Sequence, residues 1–134
     1  MAGVWATEGK QVAANLVFIH ADVNRGTTIQ LGLFTNASGL SAASVLSAIT
    51  EPTGASYSRI SLADASWTVT AGLATYAAQT FTASVAITGT IYGYFLATTG
   101  TAPKLLAYEI NTVAGPIAMN VNDTYTITPS IQVG

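Results

Sequence analysis

One histidine, six carboxylates and thirty serine or threonine hydroxyls are what this 134-residue chain has for acid–base or nucleophilic chemistry, and it contains no cysteine. His20 has Asp22 two residues on and Arg25 in the next turn. A carboxylate-oriented histidine acts as a base only with a nucleophile beside it. With so many hydroxyls a neighbour arises by chance, and no G-x-S-x-G is present, so His20 reads as a structural histidine. The acids are Glu8, Asp22, Glu51, Asp64, Glu109 and Asp123. No two stand two or four apart, which excludes an EF-hand-like calcium loop. Glu51 and Glu109 facing each other across a sheet would be a glycosidase arrangement, but a glutamate next to Tyr108 on a strand is ordinarily just solvated. Gly26, Gly32 and Gly39 fit neither G-x-G-x-x-G nor Walker spacing. Without cysteine there is no disulfide and no thiolate zinc site. The expectation is a chain that is not an enzyme, with no catalytic, cofactor-binding or metal-binding residue and no small-molecule substrate.

Composition sharpens this. Only 7% of the residues are charged, against roughly 25% in an ordinary soluble domain, and residues 65–103 carry no charge at all. The four cations, Lys10, Arg25, Arg59 and Lys104, are scattered, so no basic patch exists to neutralise phosphates and no nucleic-acid partner is expected. A membrane span is not expected either: Thr, Ser, Gly or Gln interrupts every apolar stretch well short of about 18 residues. The N-terminus lacks a basic region followed by an apolar core, so no secretory signal is read. The sequons at Asn36 and Asn122 are then chance matches. A surface with so few charges is either a solvated Thr-rich sheet or one covered by partners, and low net charge favours association.

The elements that would position these groups are mostly strands. Residues 91–97 are apolar in both alternating registers: Ile91, Phe95 and Ala97 with Gly93 on one side, Tyr92, Tyr94 and Leu96 on the other. A strand apolar on both faces belongs in the middle of a sheet, with Gly93 marking a bulge or a close backbone approach. Residues 1–6 read as an arm carrying Trp5. Residues 7–20 read as a short helix with Thr7 as N-cap, Glu8 at its positive end and Val12, Leu16 and Ile19 on one stripe, forming a lid over a sheet end. Residues 27–35 alternate with Ile29, Leu31 and Leu33 inward. Residues 41–50 make a helical turn at best. Residues 57–62, a half-buried strand with Trp67 and Val69 inward, residues 73–84 and residues 105–110 follow as strands. Residues 112–119 are irregular. Residues 123–133 put Tyr125, Ile127, Ile131 and Val133 inward, with Pro129 demanding an edge or a bulge. The whole reads as all-β: a single-domain β-sandwich or jelly roll of about seven to eight strands with a short N-terminal helix. Trp5, Tyr92 and Tyr94 are candidate interface residues. Together with Trp67 and Tyr108 they offer an alternative, an aromatic platform for sugar.

The order of TIQLGLFTN, the Ser/Leu turn at residues 44–49, SWTVT, ATYAAQTFTAS, TIYGYFLAT, KLLAYE and NVNDTYTITPSI resembles a group of small β-rich structural proteins of tailed bacteriophages, of cement or decoration type. The resemblance implies a virion protein without enzymatic activity. Its expected partners are the major capsid protein and itself, as a homo-oligomer and most simply a trimer. Its expected location is the capsid surface, after synthesis in the host cytoplasm. A neck, tail or fibre-associated position in the same virion is the alternative, and a carbohydrate-binding jelly roll is the alternative of another class.

Overall fold

The computed structural model describes residues 3–19, 21–111 and 115–132. Its centre is β7 (Gly93–Thr98), buried along its whole length. It lies third in a five-stranded antiparallel sheet, between β2 (Thr28–Phe34) and β8 (Leu105–Ile110), with β1 (Val4–Trp5) and β3 (Ile60–Ala63) at the edges. Apolarity in both registers has its cause in this placement, because both faces of β7 are covered by the chain's own elements. One face presents Leu31, Leu33, Leu62, Tyr94 and Leu96 to Phe81, Ile127 and Ile131. Those three come from two smaller antiparallel sheets: β6 (Gln79–Thr82) with β9 (Thr124–Ile127), and the set β10 (Ser130–Gln132), β5 (Leu73–Thr75) and β4 (Thr68–Thr70). The other face presents Phe34, Phe95, Ala97, Leu105 and Tyr108 to Ala6, Leu40, Leu46 and Ile49. The architecture is thus all-β in antiparallel sheets with one short helix, α1 (Thr7–Phe18).

Ten strands are present among the described residues, more than the seven to eight expected. Two long expected strands are each broken. Residues 73–84 divide into β5 and β6, and residues 123–133 into β9 and β10, and in each case the halves belong to different sheets. Pro129 sits at the second break, where its missing N–H spares the ladder a gap while its carbonyl accepts from Tyr76 N–H. Val133 lies outside the described residues, and so do residues 112–114 of the expected irregular segment. The third extra strand comes from the arm, whose Val4 and Trp5 pair with Tyr108 and Ala107, so this part of the arm is a sheet edge and not a free end. Expected strand 57–62 narrows to β3, and Val69, expected inward, is 66% exposed because β4 is an outer edge. Residues 41–50 hold one 3-10 turn, Leu46–Ala48.

The helix is capped by Ala6 and not Thr7, without a side-chain hydrogen bond. Glu8 serves as a tie and not only as a charge at the helix start. Its Oε1 accepts from the backbone N–H of Leu46 and of Leu105, joining α1 to the 3-10 turn and to β8. Gly9, a poor helix former, faces the sheet backbone; a Cβ there would lie 2.5 Å from the Leu106 carbonyl oxygen. Close helix–strand approach is the reason for glycine here. Gly93 answers to the same constraint, since a Cβ would collide with the Glu109 carbonyl and the Phe34 ring. The expected close approach at Gly93 is what the fold shows.

Candidate functional site

All six carboxylates have partners, and each partnership is structural in form. Asp22 accepts from Asn24 N–H and Asn15 Nδ2, fixing the turn after α1. Asp123 accepts from Asn120 N–H in another turn. Asp64 pairs with Arg25 at 2.6 Å. Glu51 takes a two-pronged contact from Arg59, at 3.0 Å from Nε and 2.8 Å from a terminal nitrogen, and accepts from the Tyr57 hydroxyl at 2.6 Å. That hydroxyl also accepts from Leu33 N–H, closing the edge of β2 where β3 has stopped pairing. The Arg59 guanidinium lies over the Phe95 ring, 5.1 Å from its centroid. Burial pushes the Glu51 carboxyl up, but its bonds from Arg59 and Tyr57 outweigh that and hold it below the usual carboxylate range. Burial and the Glu51 carboxylate raise the Tyr57 phenol well above its ordinary value.

Glu109 is held elsewhere, on β8, where it accepts from the Tyr94 hydroxyl at 3.0 Å. Burial and the Glu109 charge raise Tyr94 well above the ordinary phenol value, and they raise Tyr125 too. Glu51 and Glu109 therefore serve different clasps and do not form an acid–base pair. Among the described residues no group of three or more His, Asp or Glu side chains is placed to hold a metal ion. His20 lies outside the described residues.

The aromatic platform is dispersed: Tyr92 lies before β7 begins at Gly93, so the expected register does not reach it, and it packs on the Phe95 side while Ile91, expected there, joins Tyr94 and Leu96. Tyr94 is 7% exposed and sits in the core between the large sheet and the small ones. Tyr108 and Tyr92 belong to the opposite face, Tyr108 buried in the cluster that holds Phe34 and Phe95 and Tyr92 half-buried against that cluster. Tyr94 thus joins the chain's own layers and has no free face for a neighbour. Trp5 and Trp67, far apart in sequence, do come together. They line a cavity of about 280 Å³ between the large sheet and the β4–β5–β10 sheet.

Each wall of this cleft has a local cause. Pairing of β1 on β8 brings in Trp5. The β7–β8 register shifts between Leu96 and Ala97, so Leu105 pairs with Ala97 while Leu106 is the additional residue. The extra residue interrupts the alternation, so that the consecutive Leu106 and Ala107 both join the core cluster on the cleft side while Leu105 and Tyr108 join the other. Ile29 on β2 completes this side, and Trp67, Val69, Ala74 and Ile131 form the other. The Arg25–Asp64 ion pair stands in the lining, with Arg25 18% and Asp64 50% exposed. Trp67 packs edge-to-face on Tyr76 with centroids 5.2 Å apart. Its indole N–H is buried without a conventional acceptor. Among the described residues the cleft lining offers apolar contact and one ion pair.

A second feature was not expected from the sequence. Past Val12, which is buried, α1 ends in Leu16, Val17, Phe18 and Ile19, of which Phe18 is 80%, Ile19 66% and Val17 64% exposed, and Val23 beyond the helix is 76% exposed. The expected stripe of Val12, Leu16 and Ile19 meets the sheet only at its beginning. The helix carries its apolar residues past the end of the surface it covers. The signal in the sequence is the run LVFI itself, which is apolar all round and not on one face only.

No protein-family model matches the chain, and no curated protein or solved structure matches it significantly.

Proposed function

We propose that the chain is a structural protein of a tailed-bacteriophage particle, without enzymatic activity, and most simply a capsid cement or decoration protein. It sits on the capsid surface, bridges major-capsid subunits and meets copies of itself in a homo-oligomer such as a trimer. The five-stranded sheet faced by the smaller sheets is read as an open β-sandwich of jelly-roll type. The observation that carries the reading is the uncharged, exposed helix end from Val17 to Ile19, on a chain whose charged fraction is only 7%. Contiguous apolar surface of this kind marks an interaction site. Every carboxylate is occupied in a clasp or turn, which agrees with a mechanical role.

The test is rebinding. Purified protein mixed with capsid shells stripped of their accessory proteins is expected to co-sediment with them and to saturate at a fixed ratio. A chain that stays monomeric and remains in the supernatant sinks the proposal. Cryo-electron microscopy of decorated particles separates the capsid surface from a neck, tail or fibre-associated position. The pairing of Trp5 with Trp67 favours one reading of another class, a carbohydrate-binding module, because indole faces stack on sugar rings. Silence on a glycan array removes that reading.

A further inference from the structure

The three-stranded sheet leaves the edge of β4 open. A two-residue loop, Ala71-Gly72, turns β4 back on β5, with φ positive at both positions (50° and 78°) as a type I′ hairpin requires. In such a hairpin the closing pair, Thr70 and Leu73, exchanges both backbone hydrogen bonds. Bonded and non-bonded pairs alternate, so Thr68 and Thr75 form the next bonded pair, and the N–H and C=O of Val69 between them point away from β5. β4 is the last strand of its sheet, and among the described residues no hydrogen bond reaches the Val69 backbone from that side. Other edges have a tie: the Gly3 N–H beside β1 donates to the Ser130 carbonyl of β10, and the Ala63 N–H of β3 donates to the Tyr76 hydroxyl.

An N–H and a C=O directed outward from one extended residue are complementary to an extended strand of another chain. We infer that β4 pairs with β4 of a second copy, antiparallel about a two-fold axis at Val69. Three features select the same strand as partner. The order T-V-T reads alike in both directions, so two-fold pairing sets Val69 against Val69 and Thr68 against Thr70, β-branched residues suited to cross-strand contact. An axis brings each nearby side chain up to its own copy, where a charge would meet a like charge. Residues 65–103 carry none, and Asp64 just before them is paired with Arg25. The guards that keep edges apart, a lysine, a proline or a bulge, are missing from Thr68–Thr70, and all three residues are exposed.

The contact amounts to about two backbone hydrogen bonds and the facing valines, far short of the roughly 1,200 Å² of a stable interface. The pair is therefore transient in solution and gains strength where copies are held side by side on one surface. It goes beyond the proposed function, since pairing is a property of the chain with or without a shell.

The test traps the pair and so needs no stable dimer. Val69→Cys in the full chain introduces the only thiol, at an exposed position. Across the axis the two Cα atoms stand about 5.5 Å apart, within disulfide reach. Under a mild oxidant, dimers are expected to form at least about tenfold faster than from Val85→Cys, another exposed valine outside β4. In the unaltered chain the Val69 amide resonance is expected to shift with protein concentration into the millimolar range. Val69→Pro removes only the outward N–H, so the circular dichroism spectrum is expected to stay unchanged while the concentration-dependent shifts of Thr68 and Thr70 disappear. Val69→Lys, which sets like charges across the axis, replaces it if the proline variant does not fold. Equal trapping rates, a Val69 amide unmoved by concentration, or Thr68 and Thr70 shifts that persist in Val69→Pro overturn the inference. A Val69 amide that moves only when stripped capsid shells are added assigns the edge to a shell strand and overturns it too. Shell binding by a Val69→Pro monomer leaves the cement reading standing, so the two proposals fail separately.

Discussion

Tyr94 shows how a residue that looks like a binding aromatic is committed to the interior. Its ring lies between the sheets and its hydroxyl donates to Glu109. Tyr94→Phe deletes the hydrogen bond to the Glu109 carboxylate and the long one, 3.5 Å, that the hydroxyl accepts from Ser130 N–H, and is expected to cost about 1 to 2 kcal/mol in urea unfolding. Tyr94→Asp sets a carboxylate beside Glu109 in a nearly closed site and is expected to abolish folding; a stable, cooperatively unfolding Asp variant would refute this placement. The Glu51 clasp gives a pH dependence. Its folded-state value is depressed, so its contribution is complete above the ordinary carboxylate range and is lost as pH falls through the depressed value. Both partners are about a quarter exposed, and solvent screening holds the contribution to about 1 kcal/mol or less. Stability of the wild type is therefore expected to fall more steeply below about pH 4 than that of Glu51→Gln, read as the difference between their acid-unfolding curves. The tyrosines act at the other end: with folded-state values raised, the stability from Tyr57 and Tyr94 is complete below about pH 10 and declines as pH rises beyond it.

At the scale of elements, α1 is held by close backbone approach and by Glu8, not by helix propensity. This predicts an inverted sign. Gly-to-Ala inside an exposed helix ordinarily gains about 1 kcal/mol. Gly9→Ala is instead expected to destabilise, because its methyl would stand 2.5 Å from the Leu106 carbonyl oxygen and 2.7 Å from the Leu106 Cα. Thermal unfolding decides it, and a raised melting temperature would refute the close docking. Gly93→Ala is the strand counterpart. Its neighbours are a strand carbonyl and a packed ring, neither able to yield, and a loss of about 3 kcal/mol is expected, at the upper end for overpacking. The broken strands follow from the same economy of contacts. An alternating pattern in residues 123–133 predicts which side chains turn inward, and Tyr125, Ile127 and Ile131 do. Alternation does not say which neighbour each half pairs with, and Pro129 marks the place where the neighbour changes.

At the scale of the molecule, so few charges predict that the self-association proposed above is insensitive to ionic strength. Raising salt screens charges over a Debye length that falls from about 10 Å at 0.1 M to about 3 Å at 1 M, yet leaves apolar contact intact. An oligomer of the proposed kind, followed by sedimentation, is expected to persist or strengthen at high salt. Dissociation by salt would mean that the scattered ion pairs, not the apolar surfaces, hold the copies together.

Residue order alone was enough for the strand-rich class, the central place of the segment around Gly93, the inward registers of β2 and β9, and the lack of a spaced catalytic or metal-binding motif. Those properties are local: periodicity, the length of apolar runs and motif spacing are written in neighbouring residues. Folding had to be seen before Trp5 and Trp67 could be placed in one cleft, Tyr94 and Tyr108 on opposite faces, and the end of α1 left bare. Each of these depends on contacts between residues remote in sequence, on a single extra residue at the β8 bulge, and on where a sheet stops beneath a helix.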